Sequence, residues 1–284
     1  MYLCPSLKRV LLYLCIGCWG LCACDKYEND RDVFFIQFDS ASVKSDLNNA
    51  KGDYKITDLW IYNNYQFIGV YPLGSKVTVT FVTQPSTLTL LAGIKQNGIS
   101  DTRTSYIMLN PIDIDTFAAL GETLQLPLEF SYKSSCTYTW TETFDGLGST
   151  LRRADRSDVG YRLDPAGFEG NGLNCLLDSN ATVAQLESSA FFNLPLNTSN
   201  VYLELQYQCS NELQIGLVNP SGFEKEIMRL YPKTGWNKIY IALGTTINAE
   251  PKGSTYKVYF RMLKNSENPP VWFKLDNLKL VFIS

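Results

Sequence analysis

Alternation of apolar and polar side chains at period two is the feature that most limits how this chain can fold. From Val33 onward the alternation comes in short runs separated by Gly, Asn and Pro. A strand places successive side chains on opposite faces of a sheet, so such runs are typical of half-buried strands. Long helical periodicity is lacking, and aromatic residues, which favour strands, make up 13% of the chain. We therefore predict an all-β protein of two tandem β-sandwich domains, the second a jelly roll.

The length of the chain agrees with two domains. It has 284 residues, and a domain commonly contains about 100–200. With 45% hydrophobic and 19% charged residues, the composition is that of a chain that can fill a core. We assign residues 33–133 to the first domain and residues 138–284 to the second.

Several classes of function are excluded or disfavoured by composition. The chain has no histidine, which excludes Ser-His-Asp and Cys-His catalysis and histidine-ligated metals. Its net charge is −3 and it has no block of Lys or Arg, so nucleic acid is a poor partner. Paired carboxylates could still hydrolyse glycosidic bonds. Nothing in the sequence pairs the acids of its Gly-rich segment 152–172, so we predict that the protein is not an enzyme; those acids are Asp155, Asp158, Asp164 and Glu169.

The N-terminal segment indicates export and processing. The basic pair Lys8-Arg9 precedes an apolar stretch, residues 10–21, that is about 12 residues long. A bilayer-spanning helix needs about 20 residues, so this length is typical of a signal-peptide core. The motif LCAC that follows resembles a bacterial lipobox. The resemblance implies cleavage after Ala23 and acylation of Cys24, palmitate included, and several acyl chains give a stable anchor. An uncut membrane anchor is the alternative.

The residues that follow Cys24 indicate where in the cell envelope the protein is located. Residues 24–32 form a polar tether that reads CDKYENDRD. A Lys followed by acids at this place resembles the surface-export signal of some gut-type Gram-negative bacteria. Asp25 resembles an inner-membrane retention signal of other bacteria, and a plain solvated tether is a third interpretation. We favour a lipid-anchored protein of the outer membrane that is exposed at the cell surface.

The first domain contains a clear hairpin signal in KITDLWIYNNYQFIGVYPL, residues 55–73. We predict a strand at 56–62, a turn at Asn63-Asn64, which tolerate positive φ, and a returning strand at 66–71. SKVTVTF and STLTLLAGI supply two more alternating strands. The pattern WIYNNxxxGxYPL resembles the PEGA-type surface module, a small β-sandwich. That resemblance implies a structural or adhesive role.

The segment 92–114 of the first domain is predicted to be a polar loop. Asn97-Gly98 forms a turn, and Arg103 and Tyr106 lie beyond it. Either a glycan or a protein partner could dock on these residues, or the loop simply covers a sheet edge.

The ends of the second domain carry a further resemblance. It opens with TWTETFDGLGS, residues 139–149, and closes with WFKLDNLKLVF, residues 272–282. This pairing resembles the galactose-binding-like jelly roll that many carbohydrate-binding modules share. The resemblance implies that the terminal strands pair and that an acid from each helps to hold a structural Ca²⁺. The matching positions are Asp145 (or Glu142) and Asp276, and capping of strand ends is the alternative role.

Three strands of the second domain, 201–209, 236–243 and 256–263, alternate apolar residues with aromatic, amide and cationic ones. If the polar sides of these strands share one sheet, water meets rings beside amides and cations. Sugars bind to such faces by stacking on rings and by hydrogen bonding of their hydroxyl groups. Packing alone would also explain aromatics in strands. The candidate carbohydrate contacts are Trp236, Tyr240, Tyr202, Gln206, Tyr259 and Arg261.

Three cysteines remain if Cys24 is acylated: Cys136, Cys175 and Cys209. One disulfide among them and free thiols are both compatible with an exported chain, and the strand alternation favours buried thiols.

Together these features favour a non-catalytic surface lipoprotein that binds carbohydrate through its second domain. The alternative is a structural or adhesive envelope protein that contacts other proteins and has no glycan ligand. The expected partners are the membrane, through the lipid anchor, and either a glycan or an envelope protein complex.

Overall fold

The fold is described by a computed structural model that covers residues 33–46, 48, 50–80, 86–116, 118–264 and 270–283. The predicted signal peptide, Cys24 and the polar tether lie outside these residues. The described chain consists almost entirely of strands, which confirms the all-β prediction. None of its described helices has the length and apolar character needed to cross a bilayer.

The elements, in chain order, are β1 (Val33–Gln37), β2 (Ala41–Val43), β3 (Asp58–Asn63), β4 (Gln66–Pro72), β5 (Lys76–Thr80), β6 (Ser86–Lys95), β7 (Arg103–Ser105), β8 (Ile112–Thr116), β9 (Thr123–Gln125), β10 (Leu128–Phe130), β11 (Thr137–Glu142), β12 (Leu151–Arg153), β13 (Arg162–Asp164), β14 (Gly172–Leu177), β15 (Val183–Ser188), β16 (Phe192–Asn193), β17 (Val201–Cys209), β18 (Leu213–Val218), β19 (Glu224–Leu230), β20 (Lys233–Ala242), α1 (Gly244–Asn248), β21 (Thr255–Leu263) and β22 (Val271–Phe282).

The first sandwich packs one larger sheet against smaller ones. The larger sheet has the order β4-β3-β6-β7, with β8 also paired to β6. Opposite it lie β5-β1-β9 and the pair β10-β2, in which β1–β9 and β2–β10 are parallel. Alternating residues such as Phe34, Ile36, Leu59 and Ile61 meet in a core from which water is excluded.

The predicted hairpin forms, with its turn shifted by one residue. β3 and β4 pair antiparallel, and the residues at positive φ are Asn64 and Tyr65, at 46° and 65°. The prediction of a turn at Asn63-Asn64 was therefore wrong in register, because Asn63 still pairs with Gln66. Two successive positive φ angles give a tight turn whose twist matches that of the flanking strands.

The second sandwich consists of two facing sheets. We call one the covered sheet: β13-β14-β22-β17-β20, with β11 paired to β22. We call the other the open sheet: β12-β15-β21-β18-β19, with β16 paired to β21. The expected pairing of the terminal strands is present, since β11 runs antiparallel to β22 from Thr137–Phe282 to Glu142–Leu278. The apolar sides of the three alternating strands β17, β20 and β21 all lie in one core, with Leu203, Ile241 and Phe260 among their residues.

The first sandwich packs on the outer face of the covered sheet. Tyr202, Tyr240 and Val281, which point outward from β17, β20 and β22, belong to the hydrophobic cluster of the first sandwich. The outer face of the covered sheet is therefore an interdomain interface.

The three cysteines of the described chain are free thiols. Cys175 and Cys209 are buried and Cys136 is half-buried. Burial raises the pKa of Cys175 to about 12 and that of Cys209 to about 11. The prediction of buried thiols is thus confirmed for Cys175 and Cys209, and their raised pKa values keep them in the unreactive thiol form.

Candidate functional site

The six predicted carbohydrate contacts do not share one sheet. β17 and β20 lie in the covered sheet, whereas β21 lies in the open sheet on the other side of the core. The expectation of one continuous binding face was therefore wrong. Alternation assigns each side chain to one side of its own strand, but it does not say which sheet that strand joins.

Three of the six candidates are buried between the two sandwiches. Tyr202, Gln206 and Tyr240 are only 6%, 2% and 4% exposed. The ring of Tyr106 from the first domain packs edge-on against Tyr202, with centroids 5.2 Å apart, and lies 4.8 Å from Tyr240. These residues cannot contact a glycan from solvent, so their assignment as binding residues was wrong.

A buried cluster of charges accompanies these rings. Lys238 Nζ lies 2.7 Å from Asp53 Oδ1 and 3.1 Å from Glu204 Oε2. Lys279 Nζ lies 2.5 Å from Asp53 Oδ2 and 3.9 Å from Glu204 Oε2. Two carboxylates and two ammonium groups balance, and side chains from both domains contribute to this pairing. The Tyr106 hydroxyl also donates to Glu204 Oε1 at 2.5 Å.

In this cluster the opposite charges offset the effect of burial on the pKa values of Asp53 and Lys238. Burial by itself would raise the pKa of Asp53, but Lys238 and Lys279 more than offset this and hold it below its ordinary value. Burial would lower the pKa of Lys238, and here Asp53 and Glu204 more than offset it, so the pKa is raised. For Lys279, burial and then repulsion from Lys238 prevail and the pKa is lowered. Removing one member leaves an opposite charge buried without compensation.

The predicted docking loop of the first domain serves this interface instead. Tyr106 is 3% exposed and bonds to Glu204, so it is not available to an outside ligand. Arg103 lies on β7 and pairs with the buried Asp58 at 3.3 Å. The Asn97-Gly98 turn forms as predicted, with φ of 56° and 72°.

Trp236 lies at the edge of the covered sheet. It is half-buried, and its ring packs edge-on against Phe168 with centroids 6.4 Å apart. It also lies against the backbone at Gly172, where an added Cβ would sit 3.7 Å from the ring. In this position Trp236 holds the loop at residues 167–172 against the sheet.

The last two candidates, Tyr259 and Arg261, lie on the outer face of the open sheet. The Tyr259 ring lies over Gly216 of β18, where a Cβ would collide with it. Arg261 covers that ring, with its guanidinium 4.8 Å from the centroid, and pairs with Glu224. Tyr259 is consequently 1% exposed and forms the floor of this face, so its predicted direct contact with sugar was wrong.

A cleft of about 510 Å³ opens on the same face. Phe191, 42% exposed, lies on one side, and the Lys257 ammonium sits 4.7 Å from its ring centroid. Glu187 is 3.8 Å from Lys257 and stands opposite Arg152 across the β12–β15 pairing. The cleft thus presents an accessible ring beside cations and a carboxylate, within the size range of ligand pockets.

Sequence reasoning missed most residues of this cleft. Lys257 belongs to the strand 256–263, whose alternation the sequence shows, but Phe191, Glu187 and Arg152 come from other segments. A local signal existed in SSAFFN, where Phe191 and Phe192 are adjacent and must point to opposite sides. Phe192 is 7% exposed in the core, which leaves Phe191 outside.

The two predicted calcium ligands hold one loop by hydrogen bonds. Asp276 Oδ2 accepts the backbone N–H groups of Phe168 and Glu169, at 2.7 and 3.2 Å, and Oδ1 accepts that of Asn277 at 2.7 Å. Asp145 Oδ1 accepts the backbone N–H and the side-chain amide of Asn171, at 2.8 and 3.2 Å. The alternative candidate, Glu142, accepts the backbone N–H groups of Phe144 and Thr150.

These donors leave little room for a cation. In the described chain, no three His, Cys, Asp or Glu side chains gather as a metal site. Three of the four oxygens of Asp145 and Asp276 already accept N–H groups, so in this structure both acids fix the loop at residues 167–172. Burial, with the charge of Asp145, raises the pKa of Asp276 to about 7, although N–H groups oppose this. Calcium stays a prediction.

Two of the four loop acids considered for catalysis organise backbone turns. Asp158 accepts the backbone N–H groups of Thr182 and Val183, which lower its pKa. Asp164 accepts the backbone N–H of Ala166 and pairs with Lys274, and its pKa falls to about 2. Asp155 borders the open cleft, and Glu169 borders a separate depression beside Asp145. The absence of enzymatic activity stays a prediction.

No family model and no curated protein matches this chain. Among solved structures, it resembles the family 11 carbohydrate-binding module of a cellulosomal cellulase of Clostridium thermocellum. The TM-score is 0.36 at 11% identity, over 51% of this chain and 94% of that one. A mutant family 29 carbohydrate-binding module complexed with mannohexaose gives 0.35 at 13% identity, over 51% and 92%.

A second structure of the family 11 module, in complex with a β-1,3-1,4-mixed-linked tetrasaccharide, gives a TM-score of 0.34 at 12% identity, over 49% of this chain and 94% of that one. The likeness is remote in sequence and extends over about half of this chain. The binding residues discussed below therefore rest on the geometry of this chain alone.

Proposed function

We propose that the protein is a non-catalytic, lipid-anchored carbohydrate-binding protein of the outer membrane, and that its second sandwich binds glycan in the cleft of the open sheet. The observation that carries the proposal is the exposed ring of Phe191 beside Lys257 and Glu187, on the open sheet and thus on the far side of the core from the first domain.

Each part of the cleft has a role that sugar chemistry needs. The C–H face of a pyranose ring can stack on Phe191, which is rigid and already exposed. Arg152 donates hydrogen bonds to hydroxyl oxygens, and Glu187 accepts hydrogen bonds from hydroxyl groups. Lys257 is only 5% exposed, so it acts by holding the Phe191 ring and Glu187 in place. Arg261 and Tyr259 lie beside the cleft on the same face, and Arg261 pairs with Glu224 of the cleft wall.

The location rests on the lipobox. Acylation of Cys24 would anchor the chain, and the polar tether would hold the sandwiches away from the membrane. Metabolic labelling with an alkynyl palmitate analogue tests this part. Label is expected on the wild-type protein and not on Cys24→Ser, and protease treatment of whole cells should remove the sandwiches from the surface.

Affinity electrophoresis tests binding, with mixed-linkage β-glucan, glucomannan and xylan as the immobilised polysaccharides. Retardation by at least one of them is expected, and Phe191→Ala should weaken binding about tenfold, or about 1.4 kcal/mol. Lys257→Met should weaken it comparably. Phe67→Ala is the matched control, because Phe67 is 53% exposed but lies in the first domain.

Retardation that persists unchanged in Phe191→Ala and Lys257→Met would show that the cleft is not the binding site. Loss of retardation in Phe67→Ala alone would place binding on the first domain.

The alternative, a structural or adhesive role, has one observation in its favour. The hairpin β3–β4 displays a cluster of rings on the outside of the first sandwich. Phe67 lies 5.8 Å from Trp60 and 5.2 Å from Tyr62, and Tyr65 at the turn is 91% exposed. Exposed aromatic patches are enriched at protein contacts. A photo-crosslinker placed at Tyr65 should yield a defined adduct in intact cells if this role is correct, and no adduct would count against it.

A further inference from the structure

A second depression lies between the two sandwiches, away from the open cleft. It has a volume of about 640 Å³ and takes its walls from both domains. Lys55, Lys95 and the turn at 97–99 come from the first domain, while the ends of β19 and β20 with their connection come from the second. We call this depression the interdomain groove.

Every charged residue that the described chain contributes to the wall of the interdomain groove is a cation. These residues are Lys55, Lys95, Arg229, Lys233 and Lys238, and no Asp or Glu of the described chain contributes to the wall. This is unexpected by composition, since the chain has 28 acidic and 25 basic residues. A surface of one sign inside a concave wall concentrates counter-ions of the opposite sign.

Two of the five cations are neutralised from outside the groove. Lys238 pairs with Asp53 and Glu204, and Arg229 pairs with Glu226 at 2.6 Å and Glu212 at 3.5 Å.

The other three cations have no acid partner within the described chain. Lys55 Nζ donates to the neutral Asn237 Oδ1 at 2.6 Å, and Lys95 Nζ donates to the neutral Ser100 Oγ at 3.3 Å. Lys233 forms no ion pair with a described residue.

All three lysines line the same groove, and the charges of Lys95 and Lys233 act on Lys55. The pKa of Lys55 is lowered first by partial burial and then by the charges of Lys233 and Lys95. An anion placed between the three ammonium groups would relieve that repulsion.

The groove is held open by contacts across the domain interface. The backbone N–H of Asn97 donates to the carbonyl of Tyr240 at 2.8 Å, and Asn97 Oδ1 accepts the backbone N–H of Ala242 at 2.9 Å. The backbone N–H of Lys55 donates to the Tyr240 hydroxyl at 2.9 Å. With the buried charge cluster behind them, these bonds fix both walls, so binding requires little reordering.

Much of the remaining wall is apolar or aromatic. Tyr231 is 68% exposed and Ile99 is 52% exposed, and Tyr207, Ile227 and Met228 also line the groove. A free inorganic anion would leave this surface unused. A sugar ring can stack against it while an acidic substituent reaches the lysines.

We propose that the interdomain groove binds an acidic saccharide, with its carboxylate or sulfate group between Lys55, Lys95 and Lys233 and a ring against Tyr231. This site is separate from the open cleft and does not depend on glycan binding there. The site exists only where the two sandwiches meet, because neither domain supplies all three lysines.

Isothermal titration calorimetry tests the proposal, with oligogalacturonate as the carboxylated probe, heparin oligosaccharide as the sulfated probe and galacto-oligosaccharide as the neutral reference. At least one acidic probe is expected to bind ten times more tightly than the neutral one. Its affinity should fall as salt rises, because screening weakens exposed charge pairs. Which acidic probe binds identifies the acidic group.

Lys233→Gln should weaken the acidic probe about tenfold, and the triple variant Lys55→Gln, Lys95→Gln and Lys233→Gln should abolish binding. Lys252→Gln is the matched control, because Lys252 is an exposed lysine outside the groove. Phe191→Ala should leave this binding unchanged even if it abolishes binding in the open cleft. Equal binding of acidic and neutral probes, or full affinity in a triple variant that keeps the wild-type melting temperature, would overturn the proposal.

Discussion

The two sheets of the second sandwich carry the same kind of sequence but meet different surroundings. Both alternate core residues with Tyr, Gln, Glu, Lys or Arg on their outer faces. On the covered sheet these side chains pack against the first domain, and Tyr202, Gln206 and Tyr240 are at most 6% exposed. On the open sheet Tyr259 is also buried, at 1% exposed beneath Arg261, but Phe191, which directly precedes β16, remains 42% exposed beside a cleft. An outward-facing aromatic is therefore a binding candidate only where neither a packed domain nor a neighbouring side chain covers its ring.

The difference extends to the charges. On the covered sheet, Lys238 and Lys279 are almost completely excluded from water and neutralise Asp53 and Glu204. On the open sheet, the pairs of Arg261 and Arg156 with Glu224 border solvent. A buried ion pair is costly to break, whereas an exposed one contributes little. Substitutions on the two faces should consequently differ in effect.

The largest expected effect is on the covered sheet. Lys238→Met leaves Asp53 and Glu204 buried with Lys279 as their one remaining lysine, and should lower the free energy of unfolding by about 3–5 kcal/mol. Urea denaturation followed by fluorescence measures this loss. Lys252→Met, at an exposed position, should stay within about 0.5 kcal/mol of wild type. Equal stability of the two variants would mean that the interface does not bury the cluster as described.

A smaller effect concerns Asp276, a buried acid of the covered sheet that forms no ion pair with a described residue. Its folded-state pKa of about 7 lies above the unfolded value of about 3.9. The protonated carboxyl therefore contributes stability that is fully present below about pH 4 and is lost as pH rises through about 7. This loss is at most about 4 kcal/mol, at about 1.4 kcal/mol per pKa unit.

Asp276→Asn should remove that part of the pH dependence. Urea denaturation of both proteins at pH values from about 4 to about 8, a range that spans the two pKa values, gives the free energy of unfolding at each pH. The slopes of these free energies against pH are then compared. Parallel stability curves for wild type and Asp276→Asn would show that Asp276 titrates normally in the folded protein.

The smallest effect compares two tyrosines that the sequence does not distinguish. Tyr240→Phe deletes the hydroxyl that accepts the backbone N–H of Lys55 at 2.9 Å and should cost about 1 kcal/mol. Tyr259→Phe on the open sheet removes a hydroxyl with no hydrogen-bond partner in the described chain and should stay within about 0.5 kcal/mol. Thermal melting of both variants tests this prediction. A larger loss of stability in Tyr259→Phe than in Tyr240→Phe would contradict the assignment of covered and open faces.

Much of the fold was predictable from local pattern. The alternation in β17, β20 and β21 correctly assigned the inward residues, and Asn97-Gly98 correctly marked a turn. The hairpin was found, with its turn one residue early, because Asn63 and Asn64 both tolerate positive φ while Tyr65 gave no signal.

The candidate site was less predictable, because its residues are distant in sequence. Arg152, Glu187 and Lys257 come from β12, β15 and β21, which pair in that order, and Phe191 directly precedes β16, which also pairs with β21. Of the three lysines proposed to bind the acidic group in the interdomain groove, Lys55 and Lys95 lie in the first domain and Lys233 lies in the second.

The sequence by itself determined that this is an all-β chain and which side of each strand faces the core, because burial of apolar side chains at period two is a local property of strands. Only the tertiary structure decided which outer face became an interdomain interface, which stayed open, and where lysines gathered without acids. Those outcomes depend on how whole sheets pack on one another, and side-chain alternation along a single strand contains no information about that packing.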